Sequence, residues 1–492
     1  MLLSELIKNF KSELEINNFK DINIKGIQSD SRLIKNDNIF FAIDGITVKG
    51  IQFADKAVEN GAVAIVCSKK ENYFNDKIVV IKCDDTIGML GKFLNVFYPE
   101  KPKHIVGITG TSGKTSVAEF TRQIIQKLGF DSASIGTLGV NFENSHLKED
   151  TLTMRELVDL HEKLNYLKKG KNIDYVAMEF TSQGLHQRRG EGVKVEIGAF
   201  NNITPEHLDY HKNMEEYLNQ KLKLFTDVLV KGGVAVLNAD IPEFNKIKAV
   251  CEKQEDKILS YGYNGDIKIL SIQTHFQGQI IEIEYNGKKY KINTPFIGKF
   301  QVMNLLASLA IVISLKIEPS IKKIITVLEN IKQAEGRMEL AGVKKNGATI
   351  YIDFAHKPDA LKQVLETMRE HISNDKEARI VVLFGCGGDR DKTKRPVMGK
   401  IANDLADVVF ITDDNPRTED ASVIRDEIMT GCPHAYNIGG REKAIREAIK
   451  SLKSKDILIL AGKGHEKYTI IGKEQIPFDE FKIVQDCLKY EK

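Results

Sequence analysis

The sequence predicts an α/β protein of three domains: a small N-terminal α/β domain, a central domain on a parallel sheet, and a C-terminal Rossmann-like α/β domain. Three observations carry the prediction. Short apolar runs alternate with helical patterns along the chain, as strands joined by helical crossovers do. The length, 492 residues, is that of about three ordinary domains. Pro99 and Pro102 in "YPEKPKH" break the first pattern, and another begins near "EGRME". The expected domains are 1–100, 101–333 and 334–492.

The opening "MLLSELIKNF" has apolar residues at 2, 3, 6, 7 and 10, the stripe of an amphipathic helix, and Glu5 and Lys8 interrupt any signal-peptide core. "NIFFAI", "AVAIVC" and "KIVVIK" read as strands of the first domain. In the second, "HIVGIT", "IDYVAMEF", "VEIGAFNN" and "GVAVLNAD" read as buried parallel strands. The stretch from Asp266 to Ile292 alternates with period two around Asn286-Gly287, which predicts a small antiparallel insert. The third domain repeats the parallel pattern at "TIYIDFA", "RIVVLFG", "DVVFITDD" and "DILILAG".

With 71 basic and 68 acidic residues the chain is nearly balanced, which gives no argument for nucleic acid or a membrane surface. No apolar run reaches the roughly 18 residues of a membrane span. Six cysteines lie far apart with no C-x-x-C, as expected of reduced thiols rather than disulfides or a zinc site. A cytoplasmic monomer is expected.

Residues 107–116 read "GITGTSGKTS". A strand, a glycine-rich turn and a helix form the setting of a phosphate loop, which makes the central sheet one of P-loop ATPase type. Gly110 and Gly113 permit close approach, Lys114 reaches β- and γ-phosphates, and the Thr115 hydroxyl suits Mg²⁺. The usual pattern wants a glycine where Ile108 stands, so the loop is a shortened form. Glu179 ends one strand and His207 follows the next, and together they suggest a metal site, though each alone also reads as a cap or a loop histidine. Arg337 is suited to clamping phosphates. Arg390 and Arg417 sit in loops after strands of the third domain and suit a substrate carboxylate; Glu466 suits an ammonium group. A surface ion-pair network is the plainer alternative for those three loops.

The turn Gly110-Thr111-Ser112-Gly113-Lys114-Thr115 resembles the G-T-x-G-K-[ST] loop of the Mur ligases, and the resemblance extends over almost the whole chain. It implies ATP binding by Gly110 to Ser116, with Asn304, Arg337, Asp353 and His356. It implies Mg²⁺ on Thr115, Glu179, His207 and a carbamylated Lys221, and catalytic roles for Lys114, Lys221, His207 and Arg337. Lys221 by itself reads as a solvated helix lysine. Ser29, Ser31, Thr153, Thr181, Gln187 and Arg189 match positions that hold the UDP-muramoyl-dipeptide, and Ile46-Thr47-Val48 falls in the uridine-recognition region. Asp414-Asn415-Pro416-Arg417, with Arg390, Gly462 and Glu466, resembles the amino-acid site of diaminopimelate-adding members. The family pattern departs at Met154, where a second threonine is usual, and at Thr181, where serine is usual.

The resemblance therefore implies an ATP-dependent amide ligase of peptidoglycan precursor synthesis. It would join meso-2,6-diaminopimelate to the D-glutamyl γ-carboxylate of UDP-N-acetylmuramoyl-L-alanyl-D-glutamate. Folylpolyglutamate synthetase shares the central layout but not the Asp-Asn-Pro-Arg loop. A nucleotide-binding switch or carrier would need no amine pocket.

Overall fold

The computed structural model describes residues 1–492 except 46–47, 143–144, 148–152, 209, 276–277, 374, 376 and 490–492. The expected Ile46-Thr47 contact therefore lies outside the described residues. The chain divides into two compact units, one of residues 1–114, 125–260 and 311–317, the other of 115–124, 261–310 and 318–492.

The first unit holds two sheets. The N-terminal one has five strands in the order Glu15–Asn17, Val79–Cys83, Ala62–Ser68, Asn38–Phe41, Gly26–Gln28. All pair in parallel except the first. Helix Leu3–Ile7 buries Leu3, Leu6 and Ile7 against this sheet, following the apolar stripe of the sequence. In the central sheet, Leu229–Asn238, Val195–Phe200, His104–Thr109, Tyr175–Glu179 and Ser132–Gly136 lie side by side in parallel. His104–Thr109 is buried almost throughout, which is why it reads as a continuous apolar run; Ser132–Gly136 is equally buried but, with two serines and a glycine, is not among the expected strands. Two antiparallel edge strands, Gly139–Phe142 and Ser145–Leu147, extend a sheet expected to be wholly parallel.

In the second unit, Ile267–His275, Gly278–Tyr285 and Lys288–Thr294 form the expected antiparallel ladder. Asn286 and Gly287 turn at φ 50° and 69°, as a two-residue hairpin of the right twist requires. The C-terminal sheet runs Arg337–Val343, Thr349–Asp353, Ile457–Ala461, Ile380–Phe384, Val408–Ile411, Tyr436–Asn437. It is parallel except for its first strand. That strand occupies the stretch read from sequence as a joint, and Arg337 pairs in register with Asp353. A hairpin of Tyr468–Ile471 and Glu474–Pro477 completes the unit.

No helix among the described residues is long and apolar enough to cross a membrane. Five cysteines are buried and all six are free thiols.

Candidate active site

The phosphate loop hangs between the carboxyl ends of adjacent strands, because the register sets Glu179 beside Ile108 and Phe200 beside Thr109. Gly113 has φ 80°, a left-handed turn that an L side chain would strain. Asn202 holds the loop shut. Its Oδ1 accepts from the N–H groups of Thr111 (3.1 Å) and Ser112 (2.9 Å), and its Nδ2 donates to the Ser112 carbonyl. The Thr111 hydroxyl meets the Tyr217 hydroxyl at 3.1 Å.

Two lysines converge on one carbonyl of this loop. Lys114 Nζ donates to the Gly110 oxygen at 2.9 Å and Lys221 Nζ donates to it at 2.7 Å. Lys221 lies on helix Met214–Lys223, whose buried face is Tyr217, Leu218, Lys221 and Leu222, at helical spacing. Its ammonium stands 4.5 Å from the centre of the Tyr217 ring. Burial, with the nearby Lys114 charge, pushes Lys221 well below the ordinary lysine range.

Glu179 is 3% exposed and is gripped by Thr137, whose N–H donates to Oε1 at 2.8 Å and whose hydroxyl donates to Oε2 at 3.3 Å. The Thr137 hydroxyl also meets that of Thr153 at 3.1 Å. A polar chain thus joins a candidate substrate residue to a candidate metal ligand. Arg189 donates to the Gln187 Oε1 and to the Met154 carbonyl, both at 2.9 Å. The Met154 side chain packs in the core against Gly184 and Gly190. Thr181 caps helix Ser182–His186 by accepting from Gly184 N–H.

Among the described residues no three His, Cys, Asp or Glu side chains gather closely enough to hold a metal alone. Mg²⁺ needs only one or two protein carboxylates when substrate phosphates complete its shell. A buried carboxylate beside a phosphate loop, with a buried threonine hydroxyl on that loop, fits this demand. His207 sits in a left-handed turn, φ 57°, with its ring 3.9 Å from Glu206 and edge-on to Tyr217.

The second unit holds a cavity of about 640 Å³ at the carboxyl ends of its strands. Arg390, Asp414, Asn415, Arg417, Gly462 and Glu466 all line it. So does His356, expected on the nucleotide side. Pro416 instead faces a neighbouring cavity of about 490 Å³, which also touches Asp414 and Arg417. Arg417 adopts φ 52° and is held by its own backbone, donating to Ile470 O and accepting from Gly472 N–H. Its Nη1 donates to the Gly388 carbonyl at 2.8 Å. Asp414 would be pushed up by burial, but Lys463 and Arg441 outweigh that and keep it below the usual carboxylate range. Asp353 is pushed up to about 6 by burial, which Arg337 only partly offsets. Arg337 lies over the Phe354 ring at 5.1 Å, and its buried Nε has no hydrogen-bond partner among the described residues.

Three profiles match in succession. "Mur ligase family, catalytic domain" covers residues 23–98, "Mur ligase middle domain" covers 108–312, and "Mur ligase, glutamate ligase domain" covers 336–464. A protein of Rickettsia rickettsii named UDP-N-acetylmuramoyl-L-alanyl-D-glutamate–2,6-diaminopimelate ligase is 39% identical over 96% of this chain and 97% of its own length.

The chain belongs to the Mur ligase family.

A relative of the same name from Mesorhizobium japonicum is 41% identical over 95% of this chain and 96% of its own. A solved structure with that name superposes at a TM-score of 0.69 with 28% identity, over 95% of each chain. The Mycobacterium tuberculosis folylpolyglutamate synthase solved with ADP and AMPPCP shares the fold at a TM-score of 0.61 and 16% identity, over 76% of this chain and 91% of its own.

Within this Mur ligase the expected residues fall into separate groups. Gly110, Thr111, Lys114 and Lys221 meet, and Glu179 joins Thr153 through Thr137. Asn304 is buried in helix Lys299–Leu315, its Nδ2 on Gln301 Oε1. Ser116 is buried, and the buried Ser31 offers its carbonyl to Asn60; Ser29 is half-buried. Sequence reasoning missed Asn202, Thr137, Tyr217 and Lys463. The doubled asparagine after a strand was a visible signal for Asn202; nothing local marked the others.

Proposed function

We propose that this Mur ligase joins meso-2,6-diaminopimelate to the D-glutamyl γ-carboxylate of UDP-N-acetylmuramoyl-L-alanyl-D-glutamate, converting ATP to ADP and phosphate. The observation that carries the reading is the cavity in which Arg390, Arg417 and Glu466 converge. Two guanidinium groups suit carboxylates, and a carboxylate suits an ammonium group, which is the polarity of an amino-acid substrate. Diaminopimelate differs from lysine by a carboxylate at its far end, and Arg417 is the residue assigned to it.

The γ-phosphoryl group passes to the D-glutamyl carboxylate, ADP leaves, and an amine attacks the acyl carbon. The amide forms as phosphate departs and the amine loses its proton. Lys114, the N–H groups of the loop and Arg337 oppose the charge on the moving phosphoryl group. Thr115, Glu179 and His207 would hold Mg²⁺, which when bound neutralises phosphate charge. Lys221 is assigned a carbamate: its neutral amine adds to CO₂ with loss of a proton, giving an anion that would help hold Mg²⁺. Residues 1–100, with Ser29 and Ser31, take the uridine diphosphate end. Residues 101–333 take ATP and, through Thr153, Thr181, Gln187 and Arg189, the dipeptide. Residues 334–492 take the amino acid.

Phosphate release tests the reading. It should require ATP, the UDP-linked dipeptide and diaminopimelate together. Equal release without either of the last two would refute it.

A further inference from the structure

The "LAGKGHEKY" stretch contains a lysine that the proposed reaction leaves without a task. Lys463 is fully buried, with its side chain 0% exposed. Its Nζ donates to Asn415 Oδ1 at 3.0 Å and to the Tyr468 carbonyl at 2.8 Å, and lies 3.6 Å from Glu466 Oε2. It therefore ties together the Asp-Asn-Pro-Arg loop, the loop carrying Glu466 and the hairpin that holds Arg417.

The Asn415 amide shows what this does. Its Oδ1 accepts from two donors, Lys463 Nζ and Ile470 N–H (2.9 Å). A flipped amide would set its NH₂ against both donors. The Nδ2 is therefore directed at Glu466 Oε2, which it reaches at 2.9 Å. One oxygen of Glu466 is thus held from behind, while Glu466 itself lines the substrate cavity. Lys463 also lies beside Asp414, where with Arg441 it outweighs burial and holds that carboxyl below the usual carboxylate range.

We propose that Lys463 is a positioning and specificity-determining residue for the amine substrate. It touches no substrate, but it orients Asn415 and, through it, the Glu466 carboxylate that receives the ammonium group. The inference rests on the reading of this cavity as the amino-acid site.

Lys463→Gln, which keeps a donor but loses the charge, and Lys463→Met, which loses both, test it. In both, KM for diaminopimelate should rise, by on the order of 10- to 100-fold in Lys463→Met and less in Lys463→Gln. KM for ATP and for the UDP-linked dipeptide should stay within about twofold, and kcat should fall much less than KM rises. An unchanged KM for diaminopimelate, or equal rises for all three substrates, would overturn the proposal in favour of a purely structural lysine. If Lys463→Met does not fold, Lys463→Gln decides. A crystal structure of Lys463→Gln gives a readout independent of turnover. Asn415 and Glu466 should separate beyond hydrogen-bonding distance, and an unchanged pair overturns the positioning role. Should the wild-type protein not use diaminopimelate at all, the functional reading fails, while this structural readout still judges Lys463.

Discussion

At the scale of single residues, the chemistry depends on charges placed where water is absent. Lys221 is the extreme case, a fully buried amine sharing a carbonyl with Lys114. Its folded-state pKa lies below the unfolded value of 10.5. Between those two values the unfolded chain binds the extra proton, so Lys221 weakens folding at lower pH, and the penalty fades as pH rises toward 10.5. Lys221→Met should therefore melt at a higher temperature than the wild type at pH 7, with the gain shrinking by pH 10. It should also lose at least about 100-fold in kcat. Calorimetry at both pH values and a phosphate-release assay check this, and retained activity would remove the carbamate assignment. Arg417 has a different task, since its backbone is fixed by the hairpin while its guanidinium lines the cavity. Arg417→Lys keeps the charge but loses the planar fork. The preference for diaminopimelate over L-lysine, as a ratio of kcat/KM, should fall by at least about tenfold. An unchanged ratio would transfer selectivity to another group.

At the scale of elements, the site is made by strand ends whose neighbours leave room for side chains. Gly136 closes its strand beside Glu179, and a Cβ there would stand 2.0 Å from Glu179 Oε1. Gly136→Ala must push the carboxylate out of the grip of Thr137. The half-saturating Mg²⁺ concentration should rise about 10- to 100-fold, with the melting midpoint moving by less than roughly 4 °C. An unaltered Mg²⁺ titration would exclude Glu179 from the metal site. The central sheet also shows where pattern reading stops. Four of the buried parallel strands announce themselves as apolar runs, whereas Ser132–Gly136 and the edge strands Gly139–Phe142 and Ser145–Leu147 depend on pairing with what lies beside them.

At the scale of the whole molecule, one link within the first unit ties the N-terminal domain to the residues proposed to hold the dipeptide. Arg188, at φ 56° between Gln187 and Arg189, grips both oxygens of Asp85 at 2.9 Å. Asp85 also caps helix Thr86–Phe97 through Gly88 N–H. Asp85→Ala should cost about 1 kcal/mol in urea unfolding, since the pair is part-exposed and the cap is lost as well. Asp85→Asn keeps a capping oxygen and should cost less. Equal costs would assign the whole effect to the ion pair. Both should raise KM for the UDP-linked dipeptide if the link positions Gln187 and Arg189.

The sequence by itself determined the three α/β patterns, the shortened phosphate loop and the loops carrying Arg390, Arg417 and Glu466. Strand periodicity, turn chemistry and motif spacing are local properties that neighbouring residues carry whole. Tertiary structure alone decided that Lys221 and Lys463 are buried, that Thr137 grips Glu179, that Asn202 closes the loop and that Met154 belongs to the core. The physical reason is that a lysine in a helix or loop reads as solvated until the fold removes its water. Desolvation is a sum over every segment packed around a group, and no stretch of sequence contains that sum.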